Sequence, residues 1–113
     1  MLYAQSFNTS QTMNKSTFIE KFARGETARN HNAECENRRL WLHGHEIVKA
    51  DGDVISLDPC GWYTQTTKSY MNLALQSLNS PYRVVQKAGD WYVQHLTTKR
   101  LDSFKQPQTL QFD

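Results

Sequence analysis

Apolar residues recur along this chain at two periods, and the changes between them mark out its elements. Phe18, Ile19, Phe22 and Ala23 share one helical face. Thr17 and Glu20 precede that face as a T-x-x-E capping box, and Gly25 stands where the turn should end. Over residues 30–36 the spacing changes to two: His31, Ala33 and Cys35 alternate with Asn32, Glu34 and Glu36. That predicts a half-buried strand, with Asn37-Arg38 as the turn and residues 40–43 as the returning strand. Gly44 breaks the run. Residues 46–50 and 53–58 then flank Asp51-Gly52, a strong hairpin signal. Pro59 closes the last of these strands, because it has no N–H to give to a ladder.

After a Gly61-Trp62 corner the helical period returns. Thr66 or Thr67 is placed to cap a helix over residues 67–79, with Tyr70, Leu73, Ala74, Ser77 and Leu78 on its buried face. Asn79-Ser80-Pro81 stops it. Residues 82–87 and 91–96 form a final hairpin around Ala88-Gly89-Asp90. The predicted order is α-β-β-β-β-α-β-β. Short connections demand antiparallel pairing, so the expected class is α+β: one domain, with a curved antiparallel sheet of four to six strands and two helices on one face. Residues 1–13 read as an extension or an edge strand, 14–97 as the domain, and 98–113 as a polar tail in which Pro107 argues against a continuous element.

Composition narrows the setting. With 38% hydrophobic residues and a mean hydropathy of −0.72, the core must be small and rely on large rings. The net charge of +2 is too low for an arm dedicated to DNA and has the wrong sign for a DNA mimic. Two cysteines, Cys35 and Cys60, without a secretory pattern suit a reducing compartment. No apolar run approaches the ~18 residues of a membrane span. The chain therefore reads as intracellular, with no membrane partner.

The chemistry-bearing residues form no recognised catalytic arrangement. His43-Gly44-His45, with His31, Cys35, Cys60 and His95, supplies zinc-type ligands, but C-x-x-C and H-x-x-x-H spacings are missing. His95-Leu96-Thr97 is half of a two-histidine phosphoesterase pattern whose second copy is missing. There is no P-loop, no G-x-G-x-x-G and no nucleophile elbow. The expectation is a protein that is not an enzyme and holds no cofactor or metal. Aromatic and basic residues interleave late in the chain, at Trp62, Tyr63, Lys68, Tyr82, Arg83, Lys87, Trp91 and Tyr92. Such a set can stack bases and hold phosphates, although strand alternation turns about half of the rings inward. At the corner, one of Trp62 and Tyr63 should anchor in the core while the other offers a contact to a partner. The candidate binding residues are Trp62, Tyr63, Lys68, Arg83 and Lys87.

Leu40, Trp41, Gly44, Ile47, Gly61, Thr64, Thr66, Thr67, Lys68, Asn72 and Leu73 compose a pattern, L-W-x-x-G followed by a glycine corner, T-x-T-T-K and an Asn-Leu pair. In this central third the chain resembles a group of short phage-encoded proteins of unknown function. That group has no agreed catalytic residues, so no active site is carried over. The resemblance implies a phage product in the cytoplasm of an infected bacterium. There it would bind and inhibit a host protein, with anti-defence, anti-CRISPR-like action as one form. A small nucleic-acid-binding module and a sponge for a nucleotide signal are the alternatives. Oligomeric state is open, a homodimer included.

Overall fold

A computed structural model describes residues 13–111. The expected extension or edge strand at the N-terminus therefore lies almost wholly outside the described residues. Among these residues the chain forms two helices and nine strands: α1 (Lys15–Ala23), β1 (Ala28–Asn30), β2 (Ala33–Glu36), β3 (Arg39–Leu42), β4 (His45–Asp51), β5 (Val54–Leu57), α2 (Gln65–Ser77), β6 (Tyr82–Lys87), β7 (Asp90–His95), β8 (Leu101–Ser103) and β9 (Gln108–Gln111). The class is α+β and every strand pair is antiparallel.

Both helices are delimited by side chains other than those expected. Asn14 caps α1, its Oδ1 accepting from the Thr17 N–H at 2.8 Å, so Thr17 sits inside the helix and the Thr17–Glu20 box is not the cap. Thr64, not Thr66 or Thr67, caps α2; its Oγ1 accepts from the Thr67 N–H at 3.1 Å. The cap lies two residues upstream because Thr64 is the threonine still in extended backbone, the conformation a capping residue needs. Both helices end in a Schellman arrangement. In α1 the N–H groups of Gly25 and Glu26 donate to the carbonyls of Phe22 and Lys21. In α2 the same pair of bonds runs from Asn79 and Ser80 to Gln76 and Leu75.

β1 to β5 are a meander in which every connection is a two-residue loop: His31-Asn32, Asn37-Arg38, His43-Gly44 and Gly52-Asp53. Asp51 and Val54 close the last of these, so the predicted Asp51-Gly52 signal does join neighbouring strands. The run over 30–36, in contrast, is two strands rather than one, since His31 turns at φ 55° without a glycine to announce it. Between Leu40 and Trp41 the register with β4 shifts past Ile47, and this bulge lets Ile47 and Val48 both be buried.

The strands divide between two sheets rather than building the single sheet expected. One has the order β1-β2-β3-β4-β5-β9 and the other β6-β7-β8. The expected polar tail is the reason. Its residues 101–103 pair with β7, and 108–111 take the outer edge of β5 that would otherwise be open to β6. Pro107 stands just before β9, so its missing N–H interrupts no ladder bond.

The core lies between the larger sheet and the helices. Phe18 and Phe22 of α1 and Met71 and Leu75 of α2 meet Leu40, Ile55 and Leu57 of the sheet, all fully buried. Phe18 and Tyr70 pack edge to face at 6.0 Å between ring centres. On α2 the buried stripe is Thr67, Tyr70, Met71, Ala74 and Leu75; Leu73, expected at its centre, is only partly buried. The smaller sheet turns Val84, Trp91 and Val93 inward. On the outer edge of β6, Asn72 of α2 donates from Nδ2 to the Val84 carbonyl at 2.8 Å and accepts from the Val84 N–H at 2.7 Å. The helix thus supplies the two hydrogen bonds that a further strand would make there.

One loop stores strain that a substitution should release. Ala88 and Gly89 connect β6 and β7 at φ 51° and 88°, and only the second is a glycine. A left-handed alanine costs about 1–2 kcal/mol, against ~0.5–1 kcal/mol for the extra freedom a glycine brings to the unfolded chain. Ala88→Gly should therefore raise stability by about 0.5–1 kcal/mol in a urea titration.

Candidate binding cleft at the Trp62 corner

The corner between β5 and α2 is built by short-range bonds. Asp58 turns its carboxylate back to accept from the Cys60 N–H at 2.8 Å, and the Trp62 N–H donates to the Pro59 carbonyl at 2.8 Å. Cys60 and Gly61 both adopt positive φ, at 54° and 84°. Two left-handed residues in succession reverse the chain within a single step and leave Trp62 projecting outward, 56% exposed. Thr64 then starts α2, and its Oγ1 lies 2.9 Å from that of Thr67.

Trp62 stands at the rim of a cleft of about 500 Å³. Leu42, Ile47 and Pro59 supply its apolar surface; Thr64, Thr66, His43 and His45 supply polar groups. The bulge at Ile47 and the His43-Gly44 turn bring the sheet residues there, and α2 places its first turn opposite. The rings of His45 and Trp62 are 6.1 Å apart at 37°. Tyr63 points elsewhere. Its hydroxyl donates to Gln106 Oε1 at 2.7 Å, and its ring packs edge-on against Trp91 at 4.9 Å and against Phe104. Tyr63 is therefore the anchored ring of the pair, although it anchors on the smaller sheet and stays 49% exposed. Trp62 is the free one.

The five sequence-derived candidates do not form one site. Lys68 reaches from α2 to Gln86 on β6, its Nζ 2.9 Å from Oε1. Arg83 donates to the carbonyls of Ser80 and Tyr82, and partial burial pulls its pKa down from the usual guanidinium value. Lys87 is exposed at the far end of β6. Sequence reasoning missed Leu42, Ile47 and Pro59 as cleft residues. His43 and His45 were visible as candidates only in the form of a broken metal pattern; here they line the cleft beside Trp62.

The chain is matched over residues 6–111 by the family model described as the Kyanoviridae Gp96 protein. It belongs to that family. It is thus a phage protein, as the resemblance in its central third implies, and the match also takes in the C-terminal strands that the resemblance leaves out. No curated protein and no solved structure matches it. The pattern residues of this phage protein act largely in shaping the corner. Gly44 and Gly61 permit the turns, Thr64 caps α2, Thr66 borders the cleft and Asn72 covers the edge of β6.

Both thiols have their pKa raised above the usual cysteine range. Burial pushes Cys35 up to about 11, and its Sγ–H donates to the Glu26 carbonyl. Cys60 is raised by burial and by the carboxylates of Asp58 and Glu46. Neither thiol is activated as a nucleophile. His95, of the H-L-T triplet, accepts through Nδ1 from the N–H groups of Thr97 and Thr98 and so braces the turn after β7. Among the described residues no three His, Cys, Asp or Glu side chains gather where they could hold a metal ion, and no helix is long and apolar enough to cross a membrane.

Proposed function

We propose that this phage protein acts without catalysis, by seating a host protein on the Trp62 corner and so blocking it; a component of a bacterial defence system is one such target. The observation that carries the reading is Trp62 itself, a large ring more than half exposed at the rim of an apolar cleft. A large exposed aromatic beside a pocket is the kind of anchor from which a few residues generate most of an interface's affinity. Thiols whose pKa burial raises, and a histidine that braces a turn, favour binding over nucleophilic chemistry.

Affinity capture from a lysate of the host should recover one dominant protein at near-equal stoichiometry. Trp62→Ala should weaken that complex about thirtyfold, which is ~2 kcal/mol at a hot-spot residue. Folding should be unaffected, because the ring is exposed. Recovery of nucleic acid alone, or equal capture by the variant, would remove the corner from consideration. The cleft also lies in the size range of small-ligand sites, which keeps nucleotide capture as a second reading. Calorimetry against cyclic and ADP-ribose-type nucleotides separates the two.

A further inference from the structure

Among the described residues the smaller sheet packs one face inward, and its other face carries Arg83 and Lys87 against Asp90. Trp91 and Val93 are buried, so strand alternation sends Tyr92 to the opposite side. The register places Val85 and Ser103 directly across from Tyr92, and Arg83 opposite Gln94. Arg83 and Lys87 lie two positions to either side of Val85 on β6 and therefore share the face of Tyr92. The rise of a strand sets them ~13 Å apart along it. Among the described residues no ring packs against Tyr92, in contrast to Tyr82, which meets His95, and Trp91, which meets Tyr63 and Phe104.

Charge is strongly uneven along the chain. Residues 82–105 hold Arg83, Lys87, Lys99, Arg100 and Lys105 against Asp90 and Asp102, a net of +3. The whole chain is +2, so everything outside this segment sums to −1. Within the segment Arg100 is paired with Asp102, and Asp90 stands opposite Lys87 at the turn. Lys87, Lys99 and Lys105 enter none of the ion pairs among the described residues, nor does Arg83, which is half-buried and gives one guanidinium nitrogen to the carbonyls of Ser80 and Tyr82. The modest overall charge is thus the sum of a near-neutral body and a basic three-stranded module.

We propose that the outer face of β6-β7-β8 binds single-stranded nucleic acid, with a base stacked on Tyr92 and the flanking phosphates drawn to Arg83 and Lys87. A partly exposed ring on a sheet, with cations on the neighbouring strand, offers a π surface to a base and a charge to the backbone on either side of it. A peptide ligand would use the apolar part of the face, but Val85 and Leu101 are the only aliphatic residues that the register places there. The charge complementarity therefore selects a polyanion, and the ring selects one that carries bases. This face is separate from the Trp62 cleft and does not depend on the function proposed for it.

The test is fluorescence anisotropy of the full chain with short labelled oligothymidylate and oligouridylate at low ionic strength, with unlabelled polyphosphate as competitor. Binding should weaken steeply with salt, at a log–log slope of about −0.7 per phosphate contacted. Tyr92→Ala should lower affinity about fivefold to a hundredfold, the loss of one stacked base, while Tyr92→Phe keeps it. Lys87→Glu should lower affinity and flatten the salt slope, whereas Lys49→Glu, an exposed charge reversal on β4, should leave both within twofold. Circular dichroism confirms that each variant is folded. Three results would overturn the proposal: no binding at low salt, polyphosphate competing as well as the oligonucleotides, or Lys49→Glu weakening binding as much as Lys87→Glu.

Discussion

Leu75→Ala should lower the unfolding free energy by about 2–5 kcal/mol, the cost of removing a core leucine whose site cannot collapse around the gap. Leu75 is fully buried where α2 meets the larger sheet, and Met71 lies one turn before it on the same stripe. Domains of this size have only ~5–15 kcal/mol in total, so the loss is a large share of what holds the fold. Each kcal/mol is worth about 4–8 °C near 100 residues, and thermal unfolding should show a drop of about 8 °C or more. The informative comparison is Leu73→Ala. Leu73 borders the shallow groove between the two helices and is only partly buried, so its truncation should cost about 1 kcal/mol. Equal costs at the two positions would mean that α2 is rotated about its axis relative to the packing described above.

The second large effect should come from Asn72, by a different mechanism. Its carboxamide pairs with both the N–H and the carbonyl of Val84, and Val84 itself is buried. Asn72→Ala removes both partners at once. An orphaned buried polar group costs ~1–3 kcal/mol, and two of them at a half-buried edge should cost about 2–4 kcal/mol. Asn72→Asp is the sharper variant. It retains an oxygen for the Val84 N–H but faces the Val84 carbonyl with a second oxygen where a donor is required, so it should behave much like alanine. Hydrogen exchange provides the local readout: the Val84 amide, protected in the parent, should exchange at least tenfold faster in both variants. Lys68→Ala, one turn earlier on α2 and bonded only to the exposed Gln86, should shift stability by less than ~0.5 kcal/mol. If Asn72→Ala proves as mild as Lys68→Ala, water at the β6 edge replaces the carboxamide freely.

How far the sequence could be read depends on which residues were left to decide. The Asp51-Gly52 hairpin and α2 were legible because turn chemistry and helical period agree there. The rotation of α2 was not. Tyr70, Ala74 and Leu78 belong equally to a stripe completed by Leu73 and Ser77 or to one completed by Met71 and Leu75, and hydrophobicity does not separate them. The position of α1 decides, since it covers the Leu73 side only shallowly. The turn at His31-Asn32 was missed because neither residue is a glycine, although His31 takes a positive φ. β8 and β9 were hidden by their economy: β9 buries Leu110 alone and β8 buries no residue fully, so each reads as polar chain. The candidate site was half legible. The unusual corner at Trp62 stood out, but nothing local to residues 42–47 says that they would lie beneath it. That juxtaposition is made by the meander and by the bulge at Ile47.

The closing of the larger sheet by β9 has a consequence during synthesis. β5 is finished at residue 57, yet the strand that covers its outer edge begins at residue 108. At ~5–20 residues per second, a ribosome needs several seconds to deliver that strand. Through that interval the nascent meander shows an open ladder edge beside Ile55 and Leu57, a surface on which another chain could pair. Docking of α2 over the apolar face can bury Ile55 and Leu57 early, but the ladder edge itself stays unpaired until the last strand emerges.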